Sequence, residues 1–579
     1  MSYELMFQKA VDLHFGGALN EAEQIYRQIL ETAPKNADVL NLLGLIAQQR
    51  GFHQEAVNYF YKAAENAPKH FPIFFNLAVS LEALEKHLEA LEAYDKVLKI
   101  KSDVKEAHFG RAKIFWYLSQ EDKAEIEFQK ALNIDENYVE AMVDLAEMKN
   151  EEAKLVEYAK KYPDFAASFY YLGRCKFKAK NYKDAQNYLQ TADSLSESAD
   201  IKVLLAETLM KNGEKSDALK LFYQAISINP RNSGATLKIA DIETENYNFK
   251  EAEKYYKRTI ELEPQNLSAH TNYANMLYKT KRTLEALEEY RAAVLIAPET
   301  PEISYNLALI LKELKDYEQS LYLMFNAFYL APEHTDWSIN LAETLVLYYK
   351  QEPEKALKIA QNWYEKMPQN PVTNHIRNAL NGRKSENEAE YNSILFDVFA
   401  PTYEETLQNI EYAAAKKIAQ LCGDIKGRIL DLGCGTGLLG VELKSEENEI
   451  IGIDISKKML QIAEKKNVYA KLIQADIVDF LQKKSEHFDL ITAADVFCYF
   501  GDLAPLFKLI YPQKLVFSIE TNPLIETFEI QPNGRYRHNP QYIQNLLKAN
   551  GYRKLNTTSL VLRNEEESQV LGIIIEAEE

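Results

Sequence analysis

The sequence predicts a two-part chain, an all-α array of paired helices followed by an α/β domain built on a mainly parallel sheet. Three observations carry this. Alanines recur at steps of 34 residues over the first two thirds of the chain. A short apolar segment then runs into a glycine turn, RILDLGCGTG (428–437). Beyond it, apolar strand-like runs alternate with helical stretches, the pattern of strands buried on both faces.

In the array, Ala22, Ala56, Ala90 and Ala124 mark one helix of each pair, and Gly44, Ala78, Ala112 and Ala146 mark the other. Small residues at a fixed step are sites where paired helices approach closely. The unit ends at Pro34 and Pro68, with Ser102 and Glu136 as equivalents, because proline stops a helix at little cost. After a shortened unit ending at Pro163, Ala218, Ala252 and Ala286 resume the register with Pro230, Pro264 and Pro298. Ser320 with Pro332 and Ala356 with Pro368 complete it, and Ala240, Ala274, Ala308 and Ala342 continue the first-helix series. A 34-residue unit of two amphipathic helices resembles the tetratricopeptide repeat. About eleven units are expected over 1–380, one degenerate near 147–165. The resemblance implies a superhelix whose concave surface binds a peptide or partner protein.

The polar stretch NGRKSENEAE opens a connector (381–394), and the second domain is expected over 395–579. Its strands are RILDL, EIIGIDI, AKLIQADI, FDLITAADVF and KLVFSIE, with KKMLQIAEKK a helix between the second and third. TTSLVLRN and SQVLGIIIEAE are expected to close the sheet as an antiparallel hairpin at its edge.

A glycine turn after the first strand suits several nucleoside cofactors. In a dinucleotide enzyme it brings pyrophosphate to a helix N-terminus. Asp431, just ahead of Gly433, Gly435 and Gly437, would oppose pyrophosphate and suit an amino group. Asp454, ending the second strand, suits a pair of ribose hydroxyls, a feature shared with NAD proteins.

LDLGCGTG, GIDIS, QADI and FDLITAADV together resemble a class I S-adenosylmethionine-dependent methyltransferase with a Rossmann-like fold. The resemblance implies that Asp431 and the Gly433, Gly435 and Gly437 loop hold the methionine end, with Asp454 on the ribose. Asp476 and Ile477 would meet the adenine, Ile455 and Met459 would flank the adenine or ribose, and Ala494 would lie near the methionyl end or the acceptor. In FDVFAPTY, Phe399 and Tyr403 would close the pocket. The order of repeats, FDVFAPTYEETL, core and GRYRH is similar to bacterial methyltransferases fused to tetratricopeptide repeats. S-adenosylhomocysteine would be the product, and no metal is expected.

Methyl transfer needs alignment of nucleophile and methyl group, and a base only where the acceptor must lose a proton. No NPPY or DPPY follows the fourth strand, and the net charge of −19 disfavours nucleic acid as a partner. Cys434 and Cys498 are poorly disposed as nucleophiles. Asp495, Tyr499 and His538 are the expected catalytic residues, and Arg535 and Tyr536 the expected acceptor-binding ones. The last three belong to EIQPNGRYRHNP, expected to be an ordered loop, with Asn539 capping a helix whose first residue is Pro540. Arg535 could grip a carboxylate with its fork; His538 could act as base or only fasten the loop.

Four scattered cysteines and no secretory or membrane-spanning segment lead to a cytoplasmic expectation. The reading is a methyltransferase acting on a protein or peptide brought by the repeats. A small-molecule or glycan methyltransferase with repeats used for assembly, and a non-catalytic scaffold that binds the cofactor, remain the alternatives. Oligomeric state stays open.

Overall fold

A computed structural model describes residues 3–386, 388–483, 486–510, 514–565 and 568–579. Asn387, within the expected connector, therefore lies outside the described residues. The chain divides into two compact units, Met1–Glu263 and Pro264–Glu579.

The first unit is helical throughout, from Tyr3–Phe15 to Phe249–Leu262. Ala22, Ala56, Ala90 and Ala124 are fully buried between helices. Gly44 shows why the register tolerates only small residues, since a Cβ there would come within 2.5 Å of the Phe60 ring. The degenerate unit consists of Val139–Met148 and Glu152–Lys161, each ten residues against 13 or 14 elsewhere in the unit. Each pair turns through one left-handed residue, Gly17, Gly51, Glu85 and Ser119 in the first four pairs.

In the second unit the repeats continue through Leu267–Lys279 to Pro371–Leu380. Ser320, standing where other units have alanine, is fully buried and donates its hydroxyl to the Ala308 carbonyl at 2.7 Å. Its polar atom is thereby satisfied without a change of register. A bridging helix, Glu388–Phe399, follows, and Tyr391 and Leu395 on it join the core built by the last repeat helices. This helix begins before residue 395 and crosses the expected domain boundary. Two further helices, Tyr403–Asn409 and Ala414–Cys422, lead to the sheet.

The sheet strands are β1 (Gly427–Leu432), β2 (Asn448–Asp454), β3 (Lys471–Gln474), β4 (Leu490–Ala493) and β5 (Lys514–Glu520). The segments β6 (Phe528–Ile530) and β7 (Tyr536–His538) form a separate ribbon, and β8 (Lys554–Glu565) and β9 (Ser568–Glu578) complete the sheet. Its order is β3-β2-β1-β4-β5-β9-β8. The first five are parallel, and β9 enters antiparallel between β5 and β8. Neighbouring residues serve opposite faces: Ile429, Ile450, Leu490 and Val516 pack into one core, Leu430, Ile451, Ile491 and Phe517 into the other. Both faces are apolar because both are covered by helices.

One expectation is corrected here. EIQPNGRYRHNP is a β-hairpin, with Phe528 opposite His538 and Ile530 opposite Tyr536. Its tip is the expected turn, in which Gly534 adopts φ +82° and Gln531 N–H donates to the Arg535 carbonyl at 2.7 Å. Asn539 caps the following helix, accepting from the Gln541 and Tyr542 amides at 2.8 and 3.0 Å, with Pro540 first in it. Among the described residues no helix is long and apolar enough to cross a membrane.

Candidate active site

The ends of β1, β2 and β4 converge on one cavity of about 660 Å³. The turn after β1 is bound to β2 by Cys434 N–H, which donates to the Ile453 carbonyl at 2.9 Å. Asp454, the last residue of β2, accepts from Gly435 N–H and from Ser456 N–H, both at 2.8 Å. Burial lifts its pKa to about 6, against the pull of these amides. Gly433 and Gly435 both have positive φ, and a Cβ on Gly433 would strike Val496 at 2.6 Å. A Cβ on Gly435 would meet only Tyr403, at 3.9 Å. The glycines thus bring bare backbone to the cavity edge.

Of the expected cofactor residues, Tyr403, Gly433, Gly435, Asp454, Ile455, Met459, Asp476, Ile477 and Ala494 line this cavity. Asp476 also accepts from the Val478 and Asp479 amides at 2.8 and 3.1 Å, which fixes its carboxylate. Three residues sit elsewhere. Gly437 starts the helix Leu438–Leu443 with φ +87° and faces Tyr469. Asp431 accepts hydroxyl bonds from Tyr469 (2.8 Å) and Thr492 (3.1 Å) and borders a small adjoining pocket with Gly433, Gly435 and Tyr412. Burial raises its pKa to about 7. Phe399 packs into the repeat-side core; Phe396, one turn earlier, faces the cavity instead.

The acceptor-side expectations change most. Asp495 and Tyr499 line the cavity, but Arg535, Tyr536 and His538 do not. Asp495 has φ +58°, a strained conformation for a non-glycine residue. It receives Arg563 Nη1 at 3.0 Å and Arg535 Nη2 at 3.3 Å. Arg563 also binds Glu520 at 2.5 Å, and Arg535 donates to the Tyr499 hydroxyl at 3.0 Å. Arg535 is therefore a half-buried tie between strand ends, its fork already occupied. His538 is fully buried, donates Nε2–H to the Gly501 carbonyl at 2.9 Å, and has its pKa lowered by burial. It fastens the hairpin and does not line the cavity. Tyr536, 2% exposed, donates its hydroxyl to Glu388.

Sequence reasoning missed the wall opposite the glycine turn. Glu388, Asn392 and Phe396 recur at steps of four on the bridging helix and share the face turned to the cavity. Asp397 docks this helix, accepting from the Ser456 hydroxyl at 2.5 Å and from Lys458 N–H at 3.2 Å. It thus grips the same turn that Asp454 grips. Arg563, a lone arginine in the apolar strand SLVLRN, and Glu520, at the end of KLVFSIE, were the available signals for the buried charge cluster. Among the described residues, Asp495, Cys498 and Glu520 are grouped closely enough to hold an ion, but the two guanidinium groups already meet this negative charge.

A methyltransferase domain family matches residues 429–512, which contain the glycine turn, Asp454, Asp476 and Asp495. Tetratricopeptide repeat families match residues 15–71, 75–139 and 237–301, and also 199–232. The chain joins tetratricopeptide repeats to a methyltransferase domain. "Putative methyltransferase YqeM" of Bacillus subtilis (strain 168) is 37% identical over 73 residues, 13% of this chain and 30% of that protein. An Hsp70-Hsp90 organising protein of Plasmodium falciparum is 31% identical over 117 residues, 20% of this chain and 46% of its own length. A ubiquinone biosynthesis O-methyltransferase of Alkalilimnicola ehrlichii (strain ATCC BAA-1101 / DSM 17681 / MLHE-1) is 33% identical over 92 residues, 15% of this chain and 37% of its own. The chain thus spans less than half the length of each of these relatives. They bear on the two parts separately.

Proposed function

We propose that this chain is an S-adenosylmethionine-dependent methyltransferase whose repeats bring a protein or peptide acceptor to the cavity. The observation that carries the reading is the convergence of Gly433, Gly435, Asp454, Ile455, Met459, Asp476 and Ile477 on one cavity of about 660 Å³. Asp454, already fixed by two amides, has the geometry to accept ribose hydroxyls. Asp476 and Ile477 border the volume in which adenine would lie, with Met459 and Ile455 as apolar walls. Asp431 would act from behind the glycine turn, where Tyr469 and Thr492 orient its carboxylate. The cofactor, when bound, supplies an electrophilic methyl group. The protein aligns the acceptor with it and excludes water.

Phe396, Tyr403 and Tyr499 form an aromatic wall, with Phe396 and Tyr499 edge to face at 5.1 Å. Repeats of this kind bind proteins, and tethering raises the local acceptor concentration. Calorimetric titration of the full chain with S-adenosylhomocysteine tests the pocket; binding that survives Asp454→Ala unchanged would remove the assignment.

A small-molecule acceptor is the second reading, favoured by the likeness to an O-methyltransferase of ubiquinone biosynthesis. Labelled methyl transferred in a cell lysate separates the two, appearing in protein under the first and in metabolites under the second.

A further inference from the structure

We propose that the acceptor group is an amine, received as its ammonium form between the Glu388 carboxylate and the rings of Phe396 and Tyr403. This rests on reading the cavity as a site of methyl transfer.

The cavity is larger than its cofactor-lining residues account for. Beyond Asp454 and Asp476 it continues along the bridging helix, past Phe396 and Asn392 to Glu388. Eight residues of helix separate Phe396 from Glu388, about 12 Å. Glu388 lies on the β4–β5 side, because it is held by Tyr536, whose ring packs against Gly501 just after Tyr499 and Phe500. Asp454 and Asp476 belong to the β2–β3 side.

Charge decides the acceptor class. An anionic acceptor needs a cation, and both nearby arginines are engaged behind the wall with Asp495 and Glu520. Lys384 is the one cation lining the cavity among the described residues. It is exposed and faces Glu388 at 3.9 Å, so the wall offers no buried positive charge. An ammonium instead finds a carboxylate at one end of this wall and aromatic rings at the other, groups that each attract cations. The Tyr499 ring already has the Arg535 guanidinium 5.2 Å from its centroid, so Phe396 and Tyr403 offer the open ring surfaces. Asp495 has its charge met by the arginines. Of the two glutamates lining this end, Glu386 is exposed, and Glu388 is the more covered one, held by Tyr536 and facing only the exposed Lys384, so it is the carboxylate offered to an incoming cation.

Glu388 is also suited to the proton that amine methylation must remove. Burial raises its pKa above the ordinary glutamate range, against Tyr536, Lys384 and the Ser385 backbone. The ammonium passes one proton to the Glu388 carboxylate. The freed nitrogen lone pair forms the N–C bond to the methyl group, and the electron pair of the broken carbon–sulfur bond stays on sulfur. The products are a methylated ammonium and a neutral thioether, and Glu388 returns its proton to water.

The test titrates the full chain, saturated with S-adenosylhomocysteine, with n-butylammonium and separately with butyrate, reading binding by saturation-transfer NMR. Butylammonium should bind and butyrate should not. Glu388→Gln should weaken butylammonium by about tenfold or more while leaving S-adenosylhomocysteine affinity unchanged, and Tyr536→Phe should fall between. Butyrate binding as tightly as butylammonium, no binding of butylammonium, or full binding by Glu388→Gln would overturn the proposal. Failure of S-adenosylhomocysteine itself to bind is a separate result, and it overturns the underlying reading.

Discussion

The Ser456 hydroxyl donates to Asp397 at 2.5 Å, linking the bridging helix to the turn that follows β2. Asp454 accepts from the amide of the same serine at 2.8 Å. One residue thus connects the wall of the cavity to the carboxylate expected to hold the ribose. The helix that carries Glu388 and Phe396 is positioned by the chain beneath it.

Asp397→Ala should therefore weaken S-adenosylhomocysteine binding by about tenfold, a loss of ~1.4 kcal/mol. It removes the acceptor of both Ser456 Oγ–H and Lys458 N–H. Calorimetry on the full chain measures this. Asp397→Asn, which keeps one carbonyl oxygen, should recover part of it.

Cofactor affinity should depend on pH through Asp454. Burial sets its pKa at about 6, and the ionised form is the stronger acceptor for ribose hydroxyls. Affinity should fall as pH drops through 6, and Asp454→Asn should bind weakly and lose that step, keeping only the one near pH 7 that Asp431 contributes. The folding contribution has the opposite sign. A carboxyl whose folded pKa is raised favours the folded state at low pH, and that contribution is lost as pH rises from about 4 to about 6.

Arg563→Met should destabilise the sheet domain by about 3–5 kcal/mol, because it leaves Asp495 and Glu520 buried without their closest cation. Arg563→Lys should not restore stability, since one ammonium cannot reproduce the fork that spans two carboxylates. Urea unfolding followed by tryptophan-independent circular dichroism reads both.

In the repeats, Lys315 turns a helix pair with φ +63° and is exposed. Lys315→Gly should raise the urea midpoint, with a gain of up to ~1 kcal/mol. Glycine carries no Cβ penalty in this conformation, although its greater freedom in the unfolded chain offsets part of the gain. A lowered midpoint would show that the lysine side chain contributes more than the strain costs.

The hairpin β6–β7 marks where sequence reading lost the site. Its turn residues and the Asn539 cap act over a few neighbouring residues, so PNG and NP announce them locally. The partners of its side chains are distant in sequence. Tyr536 meets Glu388, 148 residues away, and Arg535 meets Asp495, 40 away. An arginine, a tyrosine and a histidine in a row read equally well as ligands or as ties. His538 became a tie because its ring is fully buried on the Gly501 carbonyl.

What the sequence determined by itself is what repeats locally or follows a period. The 34-residue step fixed the paired helices, since small residues must recur wherever two helices touch. The apolar strands fixed the sheet, and the glycine turn marked the cavity edge because its positive φ values favour glycine, whereas Asp476 was placed there by family resemblance. Tertiary structure alone decided which charges are engaged and which side chains line the wall. Phe396 rather than Phe399 lines the cavity, and Arg535 faces inward, because packing of the bridging helix and pairing of buried charges depend on segments that meet only in the fold.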